Sequence, residues 1–174
     1  IKIDLNAIAK GFGVDEVYTI LESNGMNSIM VEIGGEVRTK GKNRKNEPWV
    51  IAVETPNLGS AGNETINWAV PLENKAMATS GDYRNYYEID GIRYSHEIDP
   101  RTGYPAQTGV ASATVLASNC MDADALATAL IIMGRGLGLQ LVEKLDGVEA
   151  FLILREGNDN YRTIKSSGME INTL

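Results

Sequence analysis

Asn85-Tyr86-Tyr87-Glu88-Ile89-Asp90-Gly91-Ile92-Arg93-Tyr94-Ser95-His96 reads as a β-hairpin. Two short runs rich in Tyr and Ile flank Asp90-Gly91, and Asp-Gly accepts the positive φ angles that a type I′ turn needs. The same punctuation recurs on either side. Ser28–Ile33 and Glu36–Lys40 flank Gly34-Gly35, and Glu149–Leu154 and Tyr161–Lys165 flank Gly157-Asn158-Asp159-Asn160. Strands joined by tight turns pair antiparallel, whereas parallel pairs need a long crossover. The chain is therefore expected to be a layered α+β domain with an antiparallel-rich sheet and flanking helices, not a doubly wound parallel sheet.

Three helices are predicted. Ala7 to about Asn24 carries Ile8, Val14, Val17, Tyr18 and Leu21 at helical spacing, with Gly25 as a stop. Asp122–Met133 ends at Gly134, and Leu137–Leu145 forms the third. Trp49–Glu54, Asn67–Leu72, Ala76–Thr79 and Val110–Ala117 read as strands. Asn57–Asn63 and Asp99–Pro105 read as loops. With 174 residues, 43% of them hydrophobic, the chain is expected to form one domain spanning residues 1–174.

The net charge of −7 and pI of about 4.8 exclude binding to nucleic acid or an anionic membrane surface by general electrostatics. An anionic ligand would need a local positive centre: Lys10, a helix N-terminus or a divalent cation. Cys120 is the single cysteine, so no internal disulfide forms; it reads as a small buried residue. No apolar run approaches ~20 residues. Ile1-Lys2-Ile3 reads as a strand entered midway, and a fragment of a longer protein is expected.

Asp124 and Thr128 stand four residues apart, on one face of the predicted helix. A carboxylate and a hydroxyl suit a hard cation that keeps water or substrate phosphate in its remaining positions. The same residues also read as a helix cap, by Asp122 or Asp124, and a gap-filling Thr128. Lys10 sits in the first turn of a helix, where its charge opposes the dipole, which suits an anion partner; a solvated lysine is the plainer reading. Asp4 reads as a turn or cap. His96, the only histidine, lies beside Asp99-Pro100-Arg101-Thr102-Gly103 and is a general-base candidate or a structural hydrogen-bonded side chain. Thr79-Ser80-Gly81 ends a strand with two hydroxyls. Gly34-Gly35 is no phosphate-binding fingerprint.

Taken together, these segments resemble the ApbE family of FAD:protein FMN transferases. The matching pieces are Asp4–Gly11 with Val14-Asp15, Gly34-Gly35-Glu36, Pro48-Trp49, Thr79–Tyr83, His96–Gly103 and Asp122–Thr128, in the family's order. Asn6 stands where the family usually has a small residue. The resemblance implies an ApbE-like (T-fold-like) domain. It implies Mg²⁺-dependent transfer of the FMN half of FAD onto a Thr or Ser hydroxyl of an acceptor flavoprotein, with AMP leaving. By motif position, the Ala7 carbonyl, Asp124 and Thr128 would hold Mg²⁺. Asp4, Lys10, Ile98 and Thr79 would contact FAD, and His96 would deprotonate the acceptor, with Asp124 the second catalytic residue. The alternatives are Mg²⁺-dependent FAD hydrolysis to FMN and AMP, or FAD binding without turnover. The family's N-terminal portion, with its signal or lipoprotein sequence, has no counterpart here. The resemblance implies a bacterial periplasmic protein anchored to the inner membrane by that portion.

Overall fold

The computed structural model describes residues 3–55, 65–81, 86–89, 92–157 and 160–173. In chain order the elements are α1 (Asn6–Ser23), β1 (Ile29–Ile33), β2 (Glu36–Lys40), β3 (Trp49–Thr55), β4 (Thr65–Leu72), β5 (Ala76–Gly81), β6 (Tyr86–Ile89) and β7 (Ile92–Ser95). There follow β8 (Ile98–Asp99), β9 (Tyr104–Pro105), β10 (Val110–Ala117), α2 (Cys120–Val142), β11 (Glu149–Glu156), β12 (Asn160–Lys165) and β13 (Asn172–Thr173). Every described strand pair is antiparallel. The main sheet has the order β1-β2-β5-β10-β11-β12, and a smaller one has the order β13-β4-β3.

Side-chain alternation sorts this sheet into two interfaces. Along β10 and β11, Ala113, Val115, Ala117, Ala150, Leu152 and Leu154 pack against Ala123, Ala127, Leu130 and Ile131 of α2. Their sequence neighbours Leu116, Phe151 and Ile153 face Val53, Val70 and Leu72 of the smaller sheet. All eight residues of β10 are buried. The result is three layers: small sheet, main sheet and helices. α1 lies beside α2 and seals Val14 and Tyr18 over Ile29 and Val31 of β1 and over Cys120.

The layered α+β architecture agrees with the hairpin reading. The β6–β7 register pairs Ile89 with Ile92, as a two-residue turn demands, although Asp90-Gly91 itself lies outside the described residues. So do the Asn57–Asn63 loop, Asp82-Tyr83, Ile1-Lys2 and Asn158-Asp159. Ile3 and Asp4 are not in a strand.

The expected break at Gly134 is present: its φ of 76° and ψ of 172° leave the helical region, suit a residue without Cβ, and divide α2 into two helical segments joined at a kink. α2 starts at Cys120, two residues earlier than expected. α2 is 23 residues long and contains an 18-residue window of mean hydropathy 1.6, enough to cross a membrane by length and composition alone. Here it lies along the main sheet, with its apolar side in the core. The predicted Asp99–Pro105 loop is closed at its ends by the two-residue strands β8 and β9, β8 beginning one residue before it, and β13 has no counterpart in the sequence reading.

Candidate functional site

α1 and α2 touch at Gly11. A Cβ there would lie 2.4 Å from the Cys120 carbonyl oxygen and 2.8 Å from Met121 Cα, so only hydrogen fits. One turn on, the Asp15 carboxylate accepts the N–H groups of Cys120 (2.9 and 3.0 Å) and Met121 (2.9 Å), and Arg38 Nη1 donates to it at 2.7 Å. Asn119 Oδ1 accepts the Asp122 N–H at 2.8 Å. Asn119 and Asp15 thus cap α2 together, satisfying N–H groups that a helix start leaves open. Neither Asp122 nor Asp124 is the cap.

Asp124 is 3% exposed, and its Oδ2 accepts the Gly11 N–H at 3.0 Å. Burial pushes its carboxyl above the usual range, while the Gly11 N–H and the Lys10 charge oppose that rise. One turn further on, Thr128 Oγ1 stands 3.0 Å from Ser80 Oγ of β5. From α1, Lys10 Nζ donates to Glu36 Oε1 of β2 at 2.5 Å. Glu36 is 1% exposed, and its Oε2 is buried without a hydrogen-bond partner among the described residues. Burial raises the Glu36 carboxyl, Lys10 lowers it, and the Asp124 charge adds to the rise. These residues converge where β2 begins and antiparallel β5 ends, on the helix side of the main sheet.

Asp4 Oδ1 accepts the Asn6 N–H at 2.8 Å and so ties down the first turn of α1, which Leu5 leaves without a side-chain cap. Ala7 lies one turn before Gly11. Thr79 takes the opposite face: its Oγ1 pairs with Thr114 Oγ1 at 2.9 Å, and Ser80 is the β5 hydroxyl that meets α2. His96 Nε2 lies 3.3 Å from Glu97 Oε1, and the other oxygen of Glu97 accepts from Ser95 Oγ. Ile98 is exposed. Arg101 grips Asp99 through Nε (2.9 Å) and Nη2 (2.7 Å), which holds that carboxyl below the usual range. Its Nη2 also reaches the Ile132 carbonyl at 3.4 Å, and Thr108 Oγ1 donates to the Ile131 carbonyl at 2.6 Å. The segment that carries His96 therefore docks on α2 one turn beyond Thr128.

Cys120 is buried, and burial pushes its thiol up to about 12, so it is no nucleophile at neutral pH. A depression of about 390 Å³ on another side of α2, lined by Ala117, Ser118, Leu126, Leu145 and Val148 among others, holds none of the predicted site residues. Among the described residues no three His, Cys, Asp or Glu side chains cluster for a metal. A cation here would draw on one carboxylate, a hydroxyl and main-chain oxygen, a donor set that suits Mg²⁺ and does not suit a soft metal.

Glu36, Ser80, Glu97 and Asp15 had no assigned role in the sequence reading. Glu36 shares strand parity with Arg38, which marks both as facing the helices, and Ser80 follows Thr79 on the other face; period-two counting finds both. Nothing local in the sequence marks Asp15, whose partners are 105 and 106 residues away.

Fold and donor set define a class: an antiparallel α+β domain whose helix–sheet junction presents hard oxygen ligands beside a lysine. Within that class, the chain belongs to the ApbE family, whose sequence model matches residues 1–152. It is similar to the FAD:protein FMN transferase of Haemophilus influenzae, 48% identical over 165 residues, covering 95% of this chain and 46% of that protein. The protein of the same name from Vibrio cholerae is 45% identical, with 97% and 49% covered. Among solved structures, the flavin transferase ApbE from Vibrio cholerae superposes with a TM-score of 0.80 at 44% identity, covering 95% of this chain and 50% of that one. The Pseudomonas stutzeri flavinyl transferase ApbE in its apo form gives 0.80 at 39% identity, with the same coverage. The chain spans about half the length of the relatives it matches.

Proposed function

We propose that this chain carries the transfer site of a FAD:protein FMN transferase, which moves FMN from FAD onto a Thr or Ser hydroxyl of an acceptor flavoprotein and releases AMP. The observation that carries the reading is the junction at Gly11, where Asp124, Thr128, Ala7 and Lys10 gather. The Ala7 carbonyl lies one helical turn before Gly11, whose N–H is held by Asp124 at 3.0 Å. A carbonyl oxygen in a helix keeps a second lone pair that can meet a cation.

Asp124, Thr128 and the Ala7 carbonyl are the residues that would hold Mg²⁺. When bound, the ion neutralises charge developing on the diphosphate. The Lys10 ammonium pairs with a phosphate oxygen, and Asp4 and Ile98 line the FAD; Thr79, turned to the other face of the sheet, does not reach this junction. His96 takes the proton of the acceptor hydroxyl. That oxygen bonds to the phosphorus of the FMN half, the P–O bond to AMP breaks, and AMP departs with the electron pair. This division of labour suits phosphoryl transfer, where positioning and charge stabilisation do most of the work. A bacterial periplasmic location, with a lipid-anchored N-terminus at the inner membrane, accompanies the proposal.

The test supplies the full-length protein with FAD, Mg²⁺ and an acceptor domain, and follows covalent flavin fluorescence on the acceptor. Asp124→Ala and His96→Ala are each expected to abolish labelling, as is chelation of the metal. Full labelling in both variants overturns the assigned roles. AMP released equally with and without acceptor would instead mean hydrolysis, and FAD bound with no AMP under any metal condition would mean storage.

A further inference from the structure

Glu36 carries the most unusual polar group in the structure. Its side chain is almost wholly enclosed, yet among the described residues one carboxylate oxygen has no hydrogen-bond partner, and the other meets a lysine that is 48% exposed. A buried ion pair of this kind is weak evidence of stabilisation, because desolvation offsets much of its attraction. A buried polar atom left unsatisfied calls for an explanation beyond stability. The pair also leans on the site. The Asp124 charge acts on Glu36, and Lys10 acts on both carboxylates. The lysine stem runs over Gly34, where a Cβ would lie 3.2 Å from Lys10 Cδ. The chain thus lays a flexible side chain over a glycine turn and pins its tip on a rigid strand.

We infer that Glu36 is a positioning residue: it fixes the Lys10 ammonium at the start of β2, next to the Gly11–Asp124 contact, in place to meet a phosphate oxygen of the substrate diphosphate. The inference rests on the flavin-transfer reading for the identity of the substrate, not for the pairing itself. A lysine on a free four-carbon stem samples many rotamers and loses them on binding an anion. Holding it in advance removes that loss, as preorganisation does elsewhere.

The first measurement needs no variant. In protein labelled with ¹⁵N and ¹³C, the Lys10 ammonium is expected to give a resolved ¹H–¹⁵N signal, with a coupling across the hydrogen bond to the Glu36 carboxylate carbon. Loss of the signal in Lys10→Met assigns it. Glu36→Gln is expected to remove the coupling and to broaden the signal through exchange with water. An unchanged ammonium signal in Glu36→Gln overturns the inference.

The second measurement is a double-mutant cycle on FAD affinity in the full-length protein, read by quenching of flavin fluorescence with Mg²⁺ present. Glu36→Gln is expected to weaken FAD binding about tenfold, the scale at which partners that orient a ligating group act. In the Lys10→Met background it should change affinity less than about twofold, because the residue it acts through is gone. Equal effects in both backgrounds overturn the inference. If wild-type protein binds no FAD, the flavin reading fails, while the ammonium spectrum still decides the role of Glu36.

Discussion

Replacing Gly11 with alanine tests whether the contact between α1 and α2 sets the site. The new Cβ would lie 2.4 Å from the Cys120 carbonyl oxygen, 2.7 Å from its carbon and 2.8 Å from Met121 Cα. Ordinary van der Waals contact begins at 3.4 Å, and the atoms in the way are all backbone. No rotamer change relieves this, so α1 must retreat by about 1 Å from a tightly packed interface. Overpacking of this kind costs about 1–3 kcal/mol. The retreat also stretches the Gly11 N–H bond to buried Asp124, and loss of such a partner adds about 1–3 kcal/mol. Better helix propensity returns about 1 kcal/mol. The net loss is about 3 kcal/mol, or roughly 6–12 °C in Tm for a chain of this size.

Gly13 supplies the control. It lies two residues along the same helix, and a Cβ there meets only Ile33 Cδ1 at 3.5 Å. Gly13→Ala should therefore gain roughly 0.5–1 kcal/mol from propensity alone. Calorimetric melting of the two variants beside wild type is the assay. A Gly11→Ala protein that melts at or above wild type would refute the argument that this contact is closed to a methyl group.

Asp15→Asn weakens the acceptor of two α2 N–H groups and the Arg38 pair, and is expected to cost about 1–3 kcal/mol, read as a lower urea midpoint at unchanged slope; an unmoved midpoint counts against the cap. Thr128→Val keeps the shape but removes the hydroxyl that faces Ser80, and should weaken Mn²⁺ binding about tenfold by titration; equal affinity would remove Thr128 from the ligand set. Asp124 titrates above its ordinary value, so in cation-free protein its ionised form opposes folding at pH 7. That cost fades as pH falls through its folded pKa toward the unfolded value of about 3.9. The Tm of Asp124→Asn relative to wild type should therefore be more favourable at pH 7 than in mild acid, and a pH-independent difference would contradict the shift.

Local signals in the sequence carried the strands well because hairpin turns and period-two patterns need only a few neighbouring residues. The β6–β7 and β11–β12 pairs follow directly from Asp90-Gly91 and the Gly157–Asn160 segment. Sheet order was not legible, since β5 comes to lie between β2 and β10 through contacts that no turn specifies. Gly134 marked a helix end correctly, but nothing in the pattern says that the next helical segment follows without a separate loop. For the site, helix spacing and family motifs point at Asp124, Thr128 and Lys10; Asp124 bonds to Gly11, the residue after Lys10, and Thr128 follows one turn along α2. Thr79 and Ser80 are adjacent hydroxyls, and only strand parity tells which one faces α2. Asp15 and Glu36 take their meaning from partners far along the chain.

The bond from Gly11 to Asp124 makes one main-chain amide a witness to the site. Glycine amides fall in their own region of a ¹H–¹⁵N spectrum, so this proton can be followed without a dye, a flavin or a turnover assay. Whatever competes for the Asp124 carboxylate should move that one peak while the far sheet stays still. Occupancy of the junction then becomes a titration curve, legible with no partner or substrate in the sample.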